Sequence, residues 1–243
     1  MLIGISGKAR HGKDTFYKTV LAPRGFDRIA LADPVKGLAM VNSILDDGLN
    51  LTRPVVPQLA ELIETHFYSY FGSSKSEHVR TELQGLGTDL IRKKIHPGFW
   101  VCLALEEARV RVQKGDPVAF TDVRFANEAD AVKGIPLGRF TGGSFCKHTQ
   151  ALQEAIHWKL SHTWDEEHEQ YGFGALPSSP GLVIKVKRPA LEQQQQLTAE
   201  QQAHESEASV DTVIPDHLIE ANTVPELKAQ GDAILNTLGI EVL

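Results

Sequence analysis

Leu2-Ile3-Gly4-Ile5-Ser6-Gly7-Lys8-Ala9-Arg10-His11-Gly12-Lys13-Asp14-Thr15 is the stretch whose reading decides the fold. Leu2 to Ile5 is a short apolar run that ends in Ser6-Gly7, the pattern of a buried strand entering a loop. Asp14 to Leu21 then reads as a helix, stopped by Pro23, Arg24 and Gly25. Between strand and helix, Gly7 to Lys13 matches G-x-x-x-x-G-K, the phosphate-binding loop. Its glycines let backbone N–H groups curl around phosphate oxygens, and the helix N-terminus adds a favourable partial charge. Lys13 is placed to reach the terminal phosphates of a nucleotide. The residue after it is Asp14 where the motif has Ser or Thr, with Thr15 one place later. A magnesium ligand is therefore sought in either Asp14 or Thr15, and the spacing leaves both open.

Outward from the loop, Phe26 to Leu31 reads as a second strand, and Val35 to Leu45 as a helix after Ala32-Asp33-Pro34. Pro54 to Phe71, Val79 to Ile95 and Phe99 to Gln113 are helical in pattern, the last two separated by His96-Pro97-Gly98. Val118 to Thr121 is a strand ending at Asp122, Leu182 to Val186 another, and Val210 to Ile214 a late one; Pro225 to Leu238 closes as a helix with proline at its start. Strands alternating with helices predict an α/β fold, a parallel sheet flanked by helices. One domain is expected. Its core is 1–34, 115–141 and 181–243, with 35–114 a helical, substrate-binding insertion above the sheet. An excursion at 142–180 has no readable role, and the polar, glutamine-rich stretch at about 188–209 reads as a lid.

Composition narrows the function classes. The 243 residues carry a formal net charge of −6, which lacks the global basic footprint of a duplex-binding protein. Nucleic acid is not an expected partner. Two cysteines, Cys102 and Cys146, are too few for a disulfide framework or a four-thiolate zinc site, in keeping with a reducing compartment. The first residues turn glycine-rich and charged after five positions, unlike a signal peptide, and no run reaches the ~18 apolar residues of a membrane span. A cytoplasmic protein with no membrane partner is expected. His157, His162 and His168, near Asp165 and Glu166, lack tight ligand spacing and read as surface residues.

A second cluster lies at 80–128. Arg80 and Gln84 are four apart on one helix face and Thr88 continues it, so a guanidinium and an amide can grip a phosphate and a base or sugar edge together. Gly87 permits close approach of a ligand to the backbone. Asp122 stands at the carboxyl end of a strand, where parallel sheets place ligand sites. It is read as catalytic or magnesium-binding, with a helix cap as the alternative. Arg124 is read as a phosphate ligand, the alternative being an i, i+4 pair with Glu128. Trp100 is read either as a base-stacking side chain or as core.

With these residues in view, the chain resembles the deoxynucleoside monophosphate kinases of bacteriophages. The resemblance is carried by GISGKARHGKDT, ALADPVK, RTELQGLGTD, Phe99-Trp100, TDVRFANEA and His204-Glu205-Ser206-Glu207, and runs with gaps across most of the chain. It implies a P-loop kinase fold, and transfer of the γ-phosphate of ATP to a deoxynucleoside monophosphate with magnesium as cofactor. Gly7, His11, Gly12, Lys13, Asp14 and Thr15 then correspond to the ATP-phosphate loop, and Arg188 to a lid cation acting on the transferring phosphate. Arg80, Thr81, Gln84, Gly87, Thr88, Trp100 and Glu128 correspond to acceptor contacts; Lys13, Asp14, Asp122 and Arg124 are the catalytic candidates. Thr81 stands where the family pattern has a lysine. The resemblance also points to a homodimer and, for a phage-encoded chain, to the host cytoplasm. Two other readings stay open: another small-molecule P-loop kinase, acting on a coenzyme precursor or a ribonucleotide, and a nucleotide-gated binding module.

Overall fold

The computed structural model describes residues 1–46, 67, 69–71, 75–135, 154, 181–192 and 205–242. The element labels below run over these residues. Five parallel strands form one sheet in the order β2-β3-β1-β4-β5. They are β1 (Leu2–Ser6), β2 (Asp27–Ile29), β3 (Val118–Val123), β4 (Leu182–Lys187) and β5 (His217–Glu220). The central strand β1 is buried along its whole length and pairs with β3 on one side and β4 on the other, with Ile3 opposite Ala119 and Leu182.

A parallel sheet must be covered on both faces, and alternate residues of each strand supply the two cores. On one face, Ile3, Ile5, Ile184 and Ile219 meet Phe16, Val20 and Leu21 after the Gly7–Gly12 loop and Leu227 and Leu235 of the last helix. On the other, Leu2, Val118, Phe120 and Val183 meet Val101, Leu105 and Ala108 from one helix and Ala129 and Val132 from another. Each Val, Leu, Ile or Phe among them, fully buried, contributes about 1.5–3 kcal/mol.

The helices follow. α1 (Lys13–Phe16) runs on as wider turns over Tyr17–Leu21 and a tight turn over Ala22–Arg24. α2 is Asp33–Asp46, and α3 (Glu77–Gln84) continues as wide turns over Gly85–Ile95. α4 is Phe99–Gln113, α5 Ala126–Val132, α6 Pro189–Glu192, α7 Glu205–Ala208 and α8 Val224–Thr237. Thr223 caps α8, with Glu226 returning the bond to the backbone of Thr223. Buried Arg24 ties α1 to α8 by donating to the carbonyls of Val20 and Ile240 and to Asp232.

The α/β class, the parallel sheet and its flanking helices agree with expectation. Three placements differ. Residues 210–214 are not a strand: Ser209–Thr212 is a tight helical turn, and β5 lies further on at His217–Glu220. The reason is Lys185 of β4, whose buried ammonium donates to the carbonyls of Val210 (2.7 Å) and Val213 (3.4 Å). Val210 and Val213 are buried there as turn residues, while β5 has Ile219 inside and Leu218 outside. Second, α4 packs directly on the sheet rather than above it within a helical insertion. Third, α5 has no counterpart among the expected elements. The expected excursion at 142–180 (apart from the backbone of Glu154), most of the helix at 54–71 and residues 193–204 of the lid stretch lie outside the described residues. Among the described residues, no helix is long and apolar enough to cross a membrane.

Candidate functional site

A cleft of about 670 Å³ opens at the carboxyl ends of β1, β2 and β3, between the sheet and the helical wall formed by α2, α3 and the start of α4. This is where open parallel sheets place ligands.

The loop after β1 forms one wall. Gly7 leaves the strand at φ 152°, and a Cβ on it would stand 2.5 Å from the carbonyl oxygen of Val186, so only glycine lets the loop turn against β4. Gly12, at φ 97°, is the left-handed residue that starts α1. Arg10 has φ 65°, the one positive value outside glycine among the described residues, and backbone held this way concentrates at binding loops. The Lys13 ammonium donates to the carbonyls of Gly7 (2.6 Å) and Lys8 (2.8 Å), which holds it over the loop. Lys13 and Asp14 line the cleft. Gly7, His11, Gly12 and Thr15 lie outside its lining; His11 is buried and accepts from the backbone N–H of Arg188 at 3.4 Å. The Arg188 side chain is exposed and is not part of the cleft, although its backbone adjoins the loop.

Asp122, at the end of β3, lines the cleft and accepts from the backbone N–H of Leu31 (2.6 Å) and Ala32 (2.9 Å). It thereby fixes the turn from β2 into α2, which carries Val35 and Lys36 to the cleft. Two buried hydroxyls, Ser6 Oγ and Thr121 Oγ1, have no hydrogen-bond partner among the described residues, and Thr121 faces the cleft. Arg124 also lines the cleft.

Glu128 is more constrained than an acceptor contact requires. One carboxylate oxygen takes Arg92 Nη1 at 3.0 Å, and the other takes the backbone N–H groups of Arg124 (2.8 Å) and Phe125 (3.2 Å), capping α5. Burial pushes its carboxyl above the usual range, and Arg92 and the two N–H donors oppose that. Glu128 thus bonds the Arg124 backbone and forms an ion pair with Arg92.

Arg80, Thr81, Gln84, Gly87 and Thr88 all line the helical wall. Buried Trp100 joins the core cluster with Val35 and Ile91, donates to the carbonyl of Gly87 at 2.9 Å, and still forms part of the cleft wall. Gly87 thus serves helix packing as well: a Cβ there would press on Val35 at 3.2 Å.

Arg92 was not among the expected site residues. Its guanidinium lies 3.4 Å over the Phe125 ring and donates to Pro97, Asn127 and Glu128, while the residue borders the cleft. A signal for it exists, because the step of four that joins Arg80, Gln84 and Thr88 lands next on Arg92. Arg10, Arg28, Lys36 and Lys75 also line the cleft; Arg10 lies within the loop motif and Lys36 ends the ALADPVK segment, whereas no local motif marks Arg28 or Lys75. Among the described residues, eight cationic side chains border this space against four carboxylates, although the chain's net charge is −6. That excess gives the cleft a positive potential, the sign that attracts anions.

Among the described residues no three His, Cys, Asp or Glu side chains form a metal cage. Magnesium does not need one, because it retains waters and takes one or two carboxylates plus substrate phosphates. Asp14 beside Lys13 fits that pattern, whereas Thr15 is outside the cleft lining. No protein-family model and no curated protein matches the chain.

Proposed function

We propose that the chain is a nucleotide kinase that transfers the γ-phosphate of ATP to a deoxynucleoside monophosphate. The observation that carries this reading is one cleft bordered both by the phosphate-loop pair Lys13 and Asp14 and by Arg80 and Arg124, with a large cationic excess. A phosphate loop alone serves many reactions. A second set of cations facing it across the same space supplies what a transfer between two phosphorylated molecules needs.

In this reading, an acceptor phosphate oxygen attacks the γ-phosphorus, and the bond from that phosphorus to the β–γ bridging oxygen breaks. The electron pair leaves with ADP. Lys13 offsets charge on the donor phosphates, and Arg80 and Arg124 hold the acceptor in line. Magnesium, when bound, neutralises phosphate charge, and Asp14 is the carboxylate that would hold it. Trp100 and Gln84 form the wall against which the acceptor's base or sugar would rest. Asp122 and Glu128 act by holding backbone: the first sets the β2–α2 turn, the second the turn bearing Arg124.

A coupled ADP-release assay with ATP, magnesium and each of dAMP, dCMP, dGMP, dTMP and the ribonucleotides tests it. Turnover that requires a deoxynucleoside monophosphate and yields its diphosphate is expected. ATP loss with no diphosphate product replaces the kinase with a nucleotide-gated switch, and turnover confined to ribonucleotides reassigns the acceptor.

A further inference from the structure

We infer that Lys75 is a specificity-determining cation of the acceptor subsite, gripping the acceptor's phosphate group together with Arg80. The inference deepens the kinase reading and rests on it for the identity of the acceptor.

Lys75 precedes α3, outside the helix face on which Arg80, Gln84 and Thr88 recur, yet it lines the same cleft. Its carbonyl accepts from Arg80 Nε at 3.3 Å, so the backbone of one cation holds the guanidinium of the other. Lys36 reaches the same region from the first turn of α2, with its side chain largely buried and its ammonium 5.5 Å above the Phe71 ring. Partial burial, then the nearby Lys36 and Arg80, hold the Lys75 ammonium below the usual lysine range; Asp33 and Asp14 act in the opposite sense. Asp33 is itself engaged by Lys36 and by Arg28.

Lys36, Lys75 and Arg80 border one cleft, and like charges around one space repel one another. A bound dianion relieves that repulsion, since each ammonium or guanidinium then gains a charge-assisted bond in partly excluded water. The chemistry selects a phosphate monoester dianion over its neutral nucleoside. Arg80 is held by the Lys75 backbone on the cleft wall that both residues line, which puts these two cations together as the pair that discriminates.

The test compares the whole chain with Lys75→Met, which keeps most of the aliphatic stem and the backbone carbonyl but loses the charge. With the best-accepted deoxynucleoside monophosphate, KM for the acceptor should rise roughly tenfold or more, kcat should fall by less, and KM for ATP should hold. Lys75→Arg should retain most of the acceptor affinity. Thr81→Lys added to Lys75→Met should recover part of it, because Thr81 sits beside Arg80 on the same wall. Calorimetry with each monophosphate and its nucleoside gives a readout independent of turnover: the preference for the monophosphate should shrink in Lys75→Met. Unchanged acceptor KM in an active Lys75→Met chain overturns the inference while sparing the kinase. A rise in KM for ATP alone overturns it by moving Lys75 to the donor side. If the wild-type chain phosphorylates no monophosphate, the kinase reading fails. Calorimetry then decides alone, and equal loss of nucleoside and monophosphate binding in Lys75→Met overturns the subsite.

Discussion

On the sheet side of the cleft, side chains are held by backbone a few residues from a strand end: Lys13 by the carbonyls of Gly7 and Lys8, Asp122 by the N–H groups of Leu31 and Ala32. On the helical side the support is of another kind. A small apolar cluster of Val35, Ile91 and Trp100 and one buried ion pair, Arg92 with Glu128, join segments 36 residues apart. A wall hung on backbone tolerates the loss of a side chain because the strand ends stay where the sheet puts them. A wall hung on a buried charge pair does not, because either partner left alone is an uncompensated charge.

The largest expected effect follows directly. Arg92→Met removes the guanidinium from a pair whose side chains are 9% and 6% exposed, and strands the Glu128 carboxylate. A loss of about 3–5 kcal/mol in unfolding free energy is expected by denaturant titration. Adding Glu128→Gln should return part of it, since the stranded charge is gone. A loss under about 1 kcal/mol for the single variant, within the range of surface pairs, would show the two walls to be alike.

Lys13→Ala probes the other wall and should separate function from stability. Its half-buried ammonium donates to the carbonyls of Gly7 and Lys8 within its own loop, so the melting temperature should shift little. Turnover should fall by about 10²–10³, the usual result of removing one preorganised electrostatic group. A fall in stability comparable to that of Arg92→Met would mean that the loop depends on this side chain for its shape.

Arg80→Ala is expected to act more mildly and on binding. Arg80 lines the cleft, and its anchor is the Lys75 carbonyl, so the helix should persist without it. KM for the monophosphate should rise by roughly ten- to a hundredfold, as for a lost charge-assisted bond, with the smaller change in kcat. Acceptor kinetics identical to wild type would remove Arg80 from the acceptor site.

The same contrast explains what was legible in the sequence. The Gly7–Gly12 loop, β1, β3 and β4 are local patterns: short apolar runs, two of them ending at Gly7 and Asp122, and a glycine spacing that backbone geometry demands. Arg80, Gln84 and Thr88 follow from one helical period. Glu128 could not be placed from its neighbours, because its partner Arg92 belongs to another element and its second oxygen bonds backbone N–H groups that no residue type announces. The late strand failed for a related reason. Val-Asp-Thr-Val-Ile has the apolar content of a strand, but the buried Lys185 ammonium draws its carbonyls into a turn, and the alternation that forms β5 lies in His217 to Glu220. Lys75 reaches the cleft by tertiary placement, and a lysine outside any motif carries no sequence mark of where its ammonium ends.

A second arginine–carboxylate pair shows that burial, rather than pairing, sets the size of the effect. Arg24 is buried like Arg92, but its partner Asp232 is 25% exposed and also accepts from Lys228. Burial alone would raise the Asp232 carboxyl; the bonds from Lys228 and Arg24 outweigh it and hold it below the ordinary aspartate range. A carboxyl depressed in the folded state stabilises the fold above its unfolded pKa, and that contribution fades as the pH falls through the folded value. Asp232→Asn should therefore lower stability at neutral pH by no more than about 1 kcal/mol, and the difference from wild type should close in acid below the ordinary aspartate range. Arg24 keeps its bonds to the carbonyls of Val20 and Ile240 in that variant, which is why the loss should be small. A loss near that of Arg92→Met, persisting in acid, would show that Asp232 is as much a buried counter-charge as Glu128, and would place the origin of the contrast in something other than exposure to water.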